Sequence, residues 1–129
     1  MSYKVFISST SDDLELATDL ARRLEAAGVK VPSVKKTSLG GNEILGTVNR
    51  SLREADEVLI LLTSNSGDKH GLWSEIGMAY GLGKRVTPVV VNYDPEKLPA
   101  LARRQHIKYA DLTGFIAELA TRAKLRKAD

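Results

Sequence analysis

The sequence predicts a three-layer α/β fold, in which a central parallel sheet of about five strands carries helices on both faces. Short apolar segments alternate with amphipathic helical segments along the chain, which is the pattern of a doubly wound parallel sheet. The segment Val58–Leu62 is continuously apolar, as expected of a strand buried on both faces. The 129 residues suffice for a buried core, and we expect a single domain over residues 1–129.

The first 32 residues are predicted to form a strand, a helix and a second strand. The first strand covers Lys4–Ser8, and residues 10–13 then supply oxygens and negative charge that suit a helix start. Apolar residues at helical spacing over Leu16–Ala27 predict the helix, with Gly28 as its C-cap. Val29–Pro32 is predicted to be the second strand.

The middle of the chain is predicted to hold a helix and a strand between two polar loops. The loops cover Ser33–Gly41 and Ser64–Gly71. Apolar residues over Ile44–Leu52 mark the second helix, and the third strand runs from about Glu57 to Leu62.

A carboxylate, Glu75, begins the next short amphipathic helix, which passes through Gly83 into the strand Arg85–Val91. Because this helix follows a strand of a parallel sheet, Glu75 is expected at the carboxyl end of the strands, where such sheets bind ligands. Pro88 removes one ladder donor, which predicts an edge position or a bulge for that strand.

The C-terminal part begins with a segment, Asn92–Arg104, that is predicted to be irregular because Pro95 and Pro99 interrupt it. A brief fifth strand over His106–Tyr109 and a terminal amphipathic helix over Phe115–Ala123 follow.

Composition excludes several function classes. The chain has no cysteine, so disulfides, thiol catalysis and thiolate metal sites are excluded. Its net charge of +3 lies largely in the tail Arg122–Lys127 and in Lys35 and Lys36, and these basic residues are not interleaved with aromatic ones, which argues against a nucleic-acid surface. No apolar run approaches the roughly 20 residues of a membrane span, and the chain enters a strand at once, so we expect a cytoplasmic protein without a membrane partner.

Common site motifs are absent. The first strand is followed by hydroxyl residues instead of G-x-G-x-x-G, and neither a P-loop nor a G-x-S-x-G elbow occurs. Thr63 and Ser64 stand where a response regulator would have an aspartate ending the third strand. His70 and His106 lack ligand partners at metal spacing, so we expect no metal site.

Short motifs spread over nearly the whole chain carry a family resemblance. They are Val5–Ser8 with Asp12 and Asp13, Gly28, Leu39–Gly41, Glu57–Ser64, Glu75–Ile76, Gly83–Lys84, Pro88 and Leu98–Pro99. Together they resemble the Toll/interleukin-1 receptor (TIR) domain family, in particular its bacterial NAD-cleaving members. The resemblance implies a single TIR-like domain with a flavodoxin-like fold.

The resemblance implies that Glu75 is the catalytic glutamate that breaks the nicotinamide–ribose bond of NAD+. The chemistry suits a lone carboxylate, because nicotinamide departs neutral and what must be stabilised is an oxocarbenium-like ribosyl group. The alternative is that Glu75 only complements the helix dipole.

Eight further residues are assigned to NAD+ binding, with NAD+ as substrate and no cofactor. They are Ser8, Ser9, Thr10, Ser11, Leu39, Gly40, Gly41 and Trp73. The hydroxyl residues after the first strand could hold a phosphate or a ribose, or could simply cap the helix. The glycines of the second loop would lie over the same crevice and help assemble subunits, or serve only as turn residues.

The position of Trp73 departs from the family pattern. NAD-cleaving members commonly carry a tryptophan four residues before the glutamate, where this chain has Gly71. Trp73, Ile76 and Tyr80 form one helical stripe about half a turn from Glu75, which favours a core role for Trp73 over a stacking platform.

The resemblance leaves three functions open. The first is an NAD+ glycohydrolase or cyclase that releases nicotinamide and ADP-ribose or a cyclic isomer. Bacterial members of this type act in antiviral defence or NAD-depletion signalling, as homo-oligomers or with a sensor or effector partner. The second is a non-enzymatic TIR interaction module. The third is a nucleoside deoxyribosyltransferase-like N-glycosidase, whose glutamate helix the segment Glu75–Lys84 also resembles.

Overall fold

The centre of the protein is a parallel sheet. The computed structural model describes residues 3–32, 34–36, 52–64, 66, 77–98 and 100–128. Within these ranges the strands are β1 (Val5–Ser9), β2 (Val34–Lys36), β3 (Glu57–Thr63), β4 (Arg85–Val91) and β5 (Ile107–Lys108). They lie in the order β2-β1-β3-β4-β5, and every neighbouring pair is parallel. The predicted parallel sheet is confirmed.

Helices cover both faces of this sheet. They are α1 (Leu14–Ala26), α2 (Ala100–Gln105) and α3 (Leu112–Ala128), and residues 52–54 and 77–81 are also helical. None of the helices that the structure describes is long and apolar enough to cross a bilayer.

Two apolar cores result, because successive residues of a strand face opposite sides of the sheet. Ile7 and Leu59 belong to a core that α1 and α3 cover. Phe6 and Ile60 belong to the other core, together with residues from 52–54, 77–81 and α2. The three-layer arrangement expected from the sequence is therefore present.

The helix ends explain two of the glycines. Gly28 follows α1 with a φ of 91°, and Gly83 follows residues 77–81 with a φ of 72°. At the end of the helical residues 77–81, the Lys84 N–H donates to the Ala79 carbonyl at 3.1 Å, which caps the helix. A left-handed residue is needed at both places, and glycine adopts that conformation without strain.

The second strand begins later than predicted. Lys30 forms only an isolated bridge with Lys4, and the strand is Val34–Lys36 instead of Val29–Pro32. The Val29 N–H is bound to the Leu24 carbonyl at 3.1 Å, so this residue still belongs to the end of α1. Because Val29 belongs to the capped end of α1, β2 begins further along the chain than predicted.

The edge position or bulge predicted from Pro88 is wrong, since β4 lies inside the sheet between β3 and β5. All seven residues of β4 pair with β3 in continuous register. The short β5 pairs only with Val89 and Val90 among the described residues. Among the described residues, the pairing with β5 thus begins one residue after Pro88.

The segment predicted to be irregular holds two ordered turns of helix. Pro95–Lys97 forms a 3-10 turn whose start is capped, since the Asp94 carboxylate accepts the Glu96 N–H at 3.0 Å. Helix α2 follows and buries Ala102 against the sheet. Pro95 is the first residue of the 3-10 turn, where its missing N–H costs nothing, so it begins this turn instead of breaking it.

A buried ion pair ties the amino edge of the sheet to α3. Glu57 begins β3 and is completely buried, and its two carboxylate oxygens accept the Arg122 Nε–H and Nη2–H, each at 2.9 Å. The Tyr3 hydroxyl donates to the same carboxylate. Burial, followed by the hydrogen bond to Glu57, raises the pKa of Tyr3 to about 12.

Candidate functional site

The strand order reverses direction at the carboxyl ends of β1 and β3. These strands are neighbours, with Ser8 opposite Ile60 in the ladder. The chain continues from β1 to β2 on one side of β1, while β3 and β4 lie on the other side. Such a reversal of strand order is where doubly wound sheets bind ligands.

Hydroxyl side chains line the end of β1. Ser8 and Ser9 are completely buried, and Thr10, the next residue, is 3% exposed. Ser11 begins a 3-10 turn over Ser11–Asp13 that leads into α1. The structure thus places the predicted residues Ser8 and Ser9, at the end of β1, and Thr10 and Ser11, just after it, at the carboxyl edge. Their contact with NAD+ stays a prediction.

Asp13 connects this loop to β3. Its Oδ2 atom accepts the Thr10 hydroxyl at 3.0 Å and the Thr63 hydroxyl at 2.7 Å. The residue occupies the N-cap position of α1, yet its side chain makes no capping hydrogen bond. Asp13 is 6% exposed, so its hydrogen bonds to the two threonines are largely shielded from solvent.

The turn after β3 is closed by Ser66. The Thr63 N–H donates to the Ser66 hydroxyl oxygen at 2.9 Å, and the Ser66 N–H donates to the Thr63 carbonyl at 3.0 Å. Ser66 is 1% exposed. These reciprocal bonds fix the direction in which the chain leaves β3, nine residues before Glu75.

Five of the predicted site residues lie outside the described residues. They are Glu75, Trp73, Leu39, Gly40 and Gly41. Within the predicted stripe of Trp73, Ile76 and Tyr80, the structure describes Tyr80, which is half-buried and packs against the core that contains Phe6. Burial raises the pKa of Tyr80. That end of the stripe therefore faces the core.

Sequence reasoning missed the bridge made by Asp13, Thr63 and Ser66. It assigned Asp13 to the helix start and Thr63 to the end of a strand. The available signal was a polar residue soon after each of two buried apolar runs, Asp13 after Val5–Ile7 and Thr63 after Val58–Leu62, since the ends of neighbouring parallel strands meet at one edge.

A separate cavity of about 320 Å³ opens at the ends of β4 and β5, between Tyr93 and Tyr109. Of the predicted NAD+-binding residues that the structure describes, Ser8 to Ser11, none lines it. Among the residues described, no group of three or more His, Asp or Glu side chains is arranged to hold a metal ion.

Comparisons with known proteins identify the family and the fold. A family model described as a TIR domain matches residues 5–126. The TIR domain of the Toll-related receptor TRR-2 from Hydra magnipapillata is 17% identical, with 98% of each chain covered and a TM-score of 0.65. No curated protein sequence matches significantly.

Two further solved structures resemble this chain. The TIR domains of the activated Roq1 resistosome are 22% identical, covering 92% of this chain and 73% of that one, with a TM-score of 0.61. A 2-deoxyribosyltransferase from Bacillus psychrosaccharolyticus is 18% identical, covering 81% of this chain and 85% of that one, also with a TM-score of 0.61. At these identities the likeness shows the fold alone.

Proposed function

The chain belongs to the TIR domain family, and from that premise we propose that it is an NAD+ glycohydrolase or ADP-ribosyl cyclase acting in bacterial antiviral defence or NAD-depletion signalling. The observation that carries the proposal is the buried, hydroxyl-lined edge at the ends of β1 and β3. It lies where a doubly wound sheet binds a nucleotide. Glu75, which follows β3 in the sequence, supplies the carboxylate.

The proposed reaction breaks the bond between C1′ of the ribose and the pyridinium nitrogen. The bonding electron pair goes to nicotinamide, which leaves as a neutral molecule, and positive charge develops on the ribosyl group. The Glu75 carboxylate stabilises this charge. Water then adds to C1′ and releases a proton, which gives ADP-ribose, or an adenine nitrogen adds instead, which gives a cyclic isomer.

Assembly is part of the proposal. The Roq1 neighbour is described as a resistosome, and we infer that this chain also works as a homo-oligomer or with another TIR protein. Leu39, Gly40 and Gly41 are the residues proposed to contact the neighbouring subunit. Activity is then expected to rise faster than linearly with protein concentration.

The test is nicotinamide release from NAD+ by concentrated protein, resolved by chromatography. Glu75→Gln should reduce release by about 100-fold or more, since one preorganised electrostatic contact contributes about that much to a rate. Glu118→Gln is the matched control, because Glu118 is exposed on α3. Melting curves of both variants check that folding is unchanged. Equal release by wild type and Glu75→Gln removes Glu75 from the mechanism.

The same experiment separates the two other functions. Cleavage of a 2′-deoxynucleoside without cleavage of NAD+ identifies an N-glycosidase like the deoxyribosyltransferase neighbour. Self-association without any product, even at the highest protein concentration, identifies an interaction module.

A further inference from the structure

Asp13 joins two chain segments at the carboxyl edge of the sheet. We propose that Asp13 is a positioning residue, which couples the loop after β1 to the turn after β3 and thereby sets the affinity for the substrate. This inference rests on the proposed function for the identity of the substrate, NAD+. The coupling itself is a property of the described residues alone.

The geometry carries the coupling. A single carboxylate oxygen, Oδ2 of Asp13, accepts one hydroxyl from each segment, Thr10 at 3.0 Å and Thr63 at 2.7 Å. Thr10 and Asp13 also share a backbone bond, in which the Asp13 N–H donates to the Thr10 carbonyl at 3.1 Å. A displacement of the first loop would therefore distort the hydrogen bond between Asp13 and Thr63. Thr63 is the last residue of β3.

The bond to Thr63 extends into the next turn. The Thr63 N–H is held by the Ser66 hydroxyl at 2.9 Å, and all of these polar side chains are buried. Hydrogen bonds between buried groups tolerate little displacement, because leaving a buried polar group without its partner costs free energy. The two segments are thus expected to move together, which keeps the carboxyl ends of β1 and β3 in one arrangement.

The direction of the bonds separates positioning from direct contact. A carboxylate can only accept, so the hydroxyl protons of Thr10 and Thr63 are both committed to Asp13. These hydroxyls have no proton left to donate to a phosphate of the substrate. The proposed effect of these two bonds on the substrate is therefore the positioning of the backbone segments that they hold.

The role of Asp13 at the helix start does not account for this arrangement. An aspartate at an N-cap position ordinarily accepts an N–H from the first turn. Asp13 makes no such bond, and its carboxylate turns towards the strand ends instead. Its placement therefore serves the carboxyl edge of the sheet more than the helix.

The test compares Thr63→Val with Thr63→Ser. Valine has the shape of threonine without the hydroxyl, whereas serine keeps the donor to Asp13. We expect Thr63→Val to raise KM for NAD+ by about tenfold, the effect of losing one charge-assisted hydrogen bond, with kcat changed by less than about threefold. Thr63→Ser should keep KM near the wild-type value.

Hydrogen exchange measures the coupling without any substrate. In Thr63→Val the amide of Asp13, which lies on the other segment, should exchange about tenfold faster, while amides in the middle of β1 and β3 keep their rates. Tyr3→Phe is the control, since it removes a hydroxyl-to-carboxylate bond at the opposite edge of the sheet. It should change neither KM nor exchange at Asp13.

Each outcome decides the proposal. An unchanged exchange rate at Asp13 in Thr63→Val shows that the two segments are not coupled. Faster exchange with an unchanged KM shows that the coupling does not act on the substrate. If the wild type leaves NAD+ intact, the proposed function fails, and the exchange experiment still decides whether Asp13 couples the two segments.

Discussion

Replacement of Arg122 by methionine tests the ion pair at the amino edge of the sheet. Methionine keeps much of the length of the side chain, but it lacks the guanidinium, which lies 5.8 Å from the centre of the Phe115 ring. The substitution removes both hydrogen bonds to the Glu57 carboxylate. That carboxylate is then left buried with the Tyr3 hydroxyl as its donor among the contacts described.

The expected loss follows from burial on each side of the pair. Breaking a fully buried ion pair costs about 3 to 5 kcal/mol, because one charge remains without compensation. Glu57 has a side-chain exposure of 0%, but Arg122 has 25%, so water can approach the vacated position. We therefore expect the free energy of unfolding to fall by about 3 kcal/mol, at the lower end of that range.

A second substitution isolates the charge. Glu57→Gln in the Arg122→Met background replaces the buried carboxylate by a neutral amide, and should restore about half or more of the lost stability. Arg22→Met is the matched control. Its partner Asp19 lies 3.5 Å away, and the two side chains are 73% and 49% exposed, so the change should stay within about 0.5 kcal/mol.

Urea denaturation followed by circular dichroism gives the free energy of unfolding of the wild type and of each of the three variants by linear extrapolation. A loss below about 1 kcal/mol in Arg122→Met would mean that the buried pair behaves like a surface pair. A double variant no more stable than Arg122→Met would show that the uncompensated charge is not the cause. Either result refutes the reasoning from burial.

Two further predictions concern a titration and a turn. Because the pKa of Tyr3 is raised to about 12, its contribution to stability is complete below pH 10 and is lost as the pH rises to 12. Wild type should therefore lose about 2 kcal/mol more than Tyr3→Phe over that interval in urea denaturation, and parallel curves would contradict the assignment. Gly83→Ala should lower the free energy of unfolding by about 1 kcal/mol, because a Cβ there has open space but a φ of 72°. Gly81→Ala, helical and equally open, should raise it by up to about 1 kcal/mol, and the same sign for both would show that backbone conformation is not decisive.

The candidate site shows where sequence reasoning succeeds and where it ends. The hydroxyl residues Ser8–Ser11 could be placed at the end of a strand, because an apolar run followed by polar residues marks that boundary. The bond between Thr63 and Asp13 could not be predicted, since 50 residues separate them along the chain. Their meeting depends on β3 pairing beside β1.

The strand positions give the same contrast. Sequence periodicity predicted the sequential arrangement of strands and helices, because the spacing of apolar residues directly reflects which face of an element is buried. The start of β2 was displaced by the hydrogen bond that holds Val29 to the end of α1. β4 lies inside the sheet because the short β5 pairs with Val89 and Val90, the two residues after Pro88.

Local chemistry in the sequence by itself determined the α/β class, the glycine that ends α1 and the hydroxyl-rich end of β1. These features depend on neighbours along the chain, whose preferences are encoded in the residues themselves. Strand order, the pairing of Glu57 with Arg122 and the bridge through Asp13 were decided only by the tertiary structure. Each joins residues that are distant along the chain, and such contacts form only when the sheet brings their strand ends together.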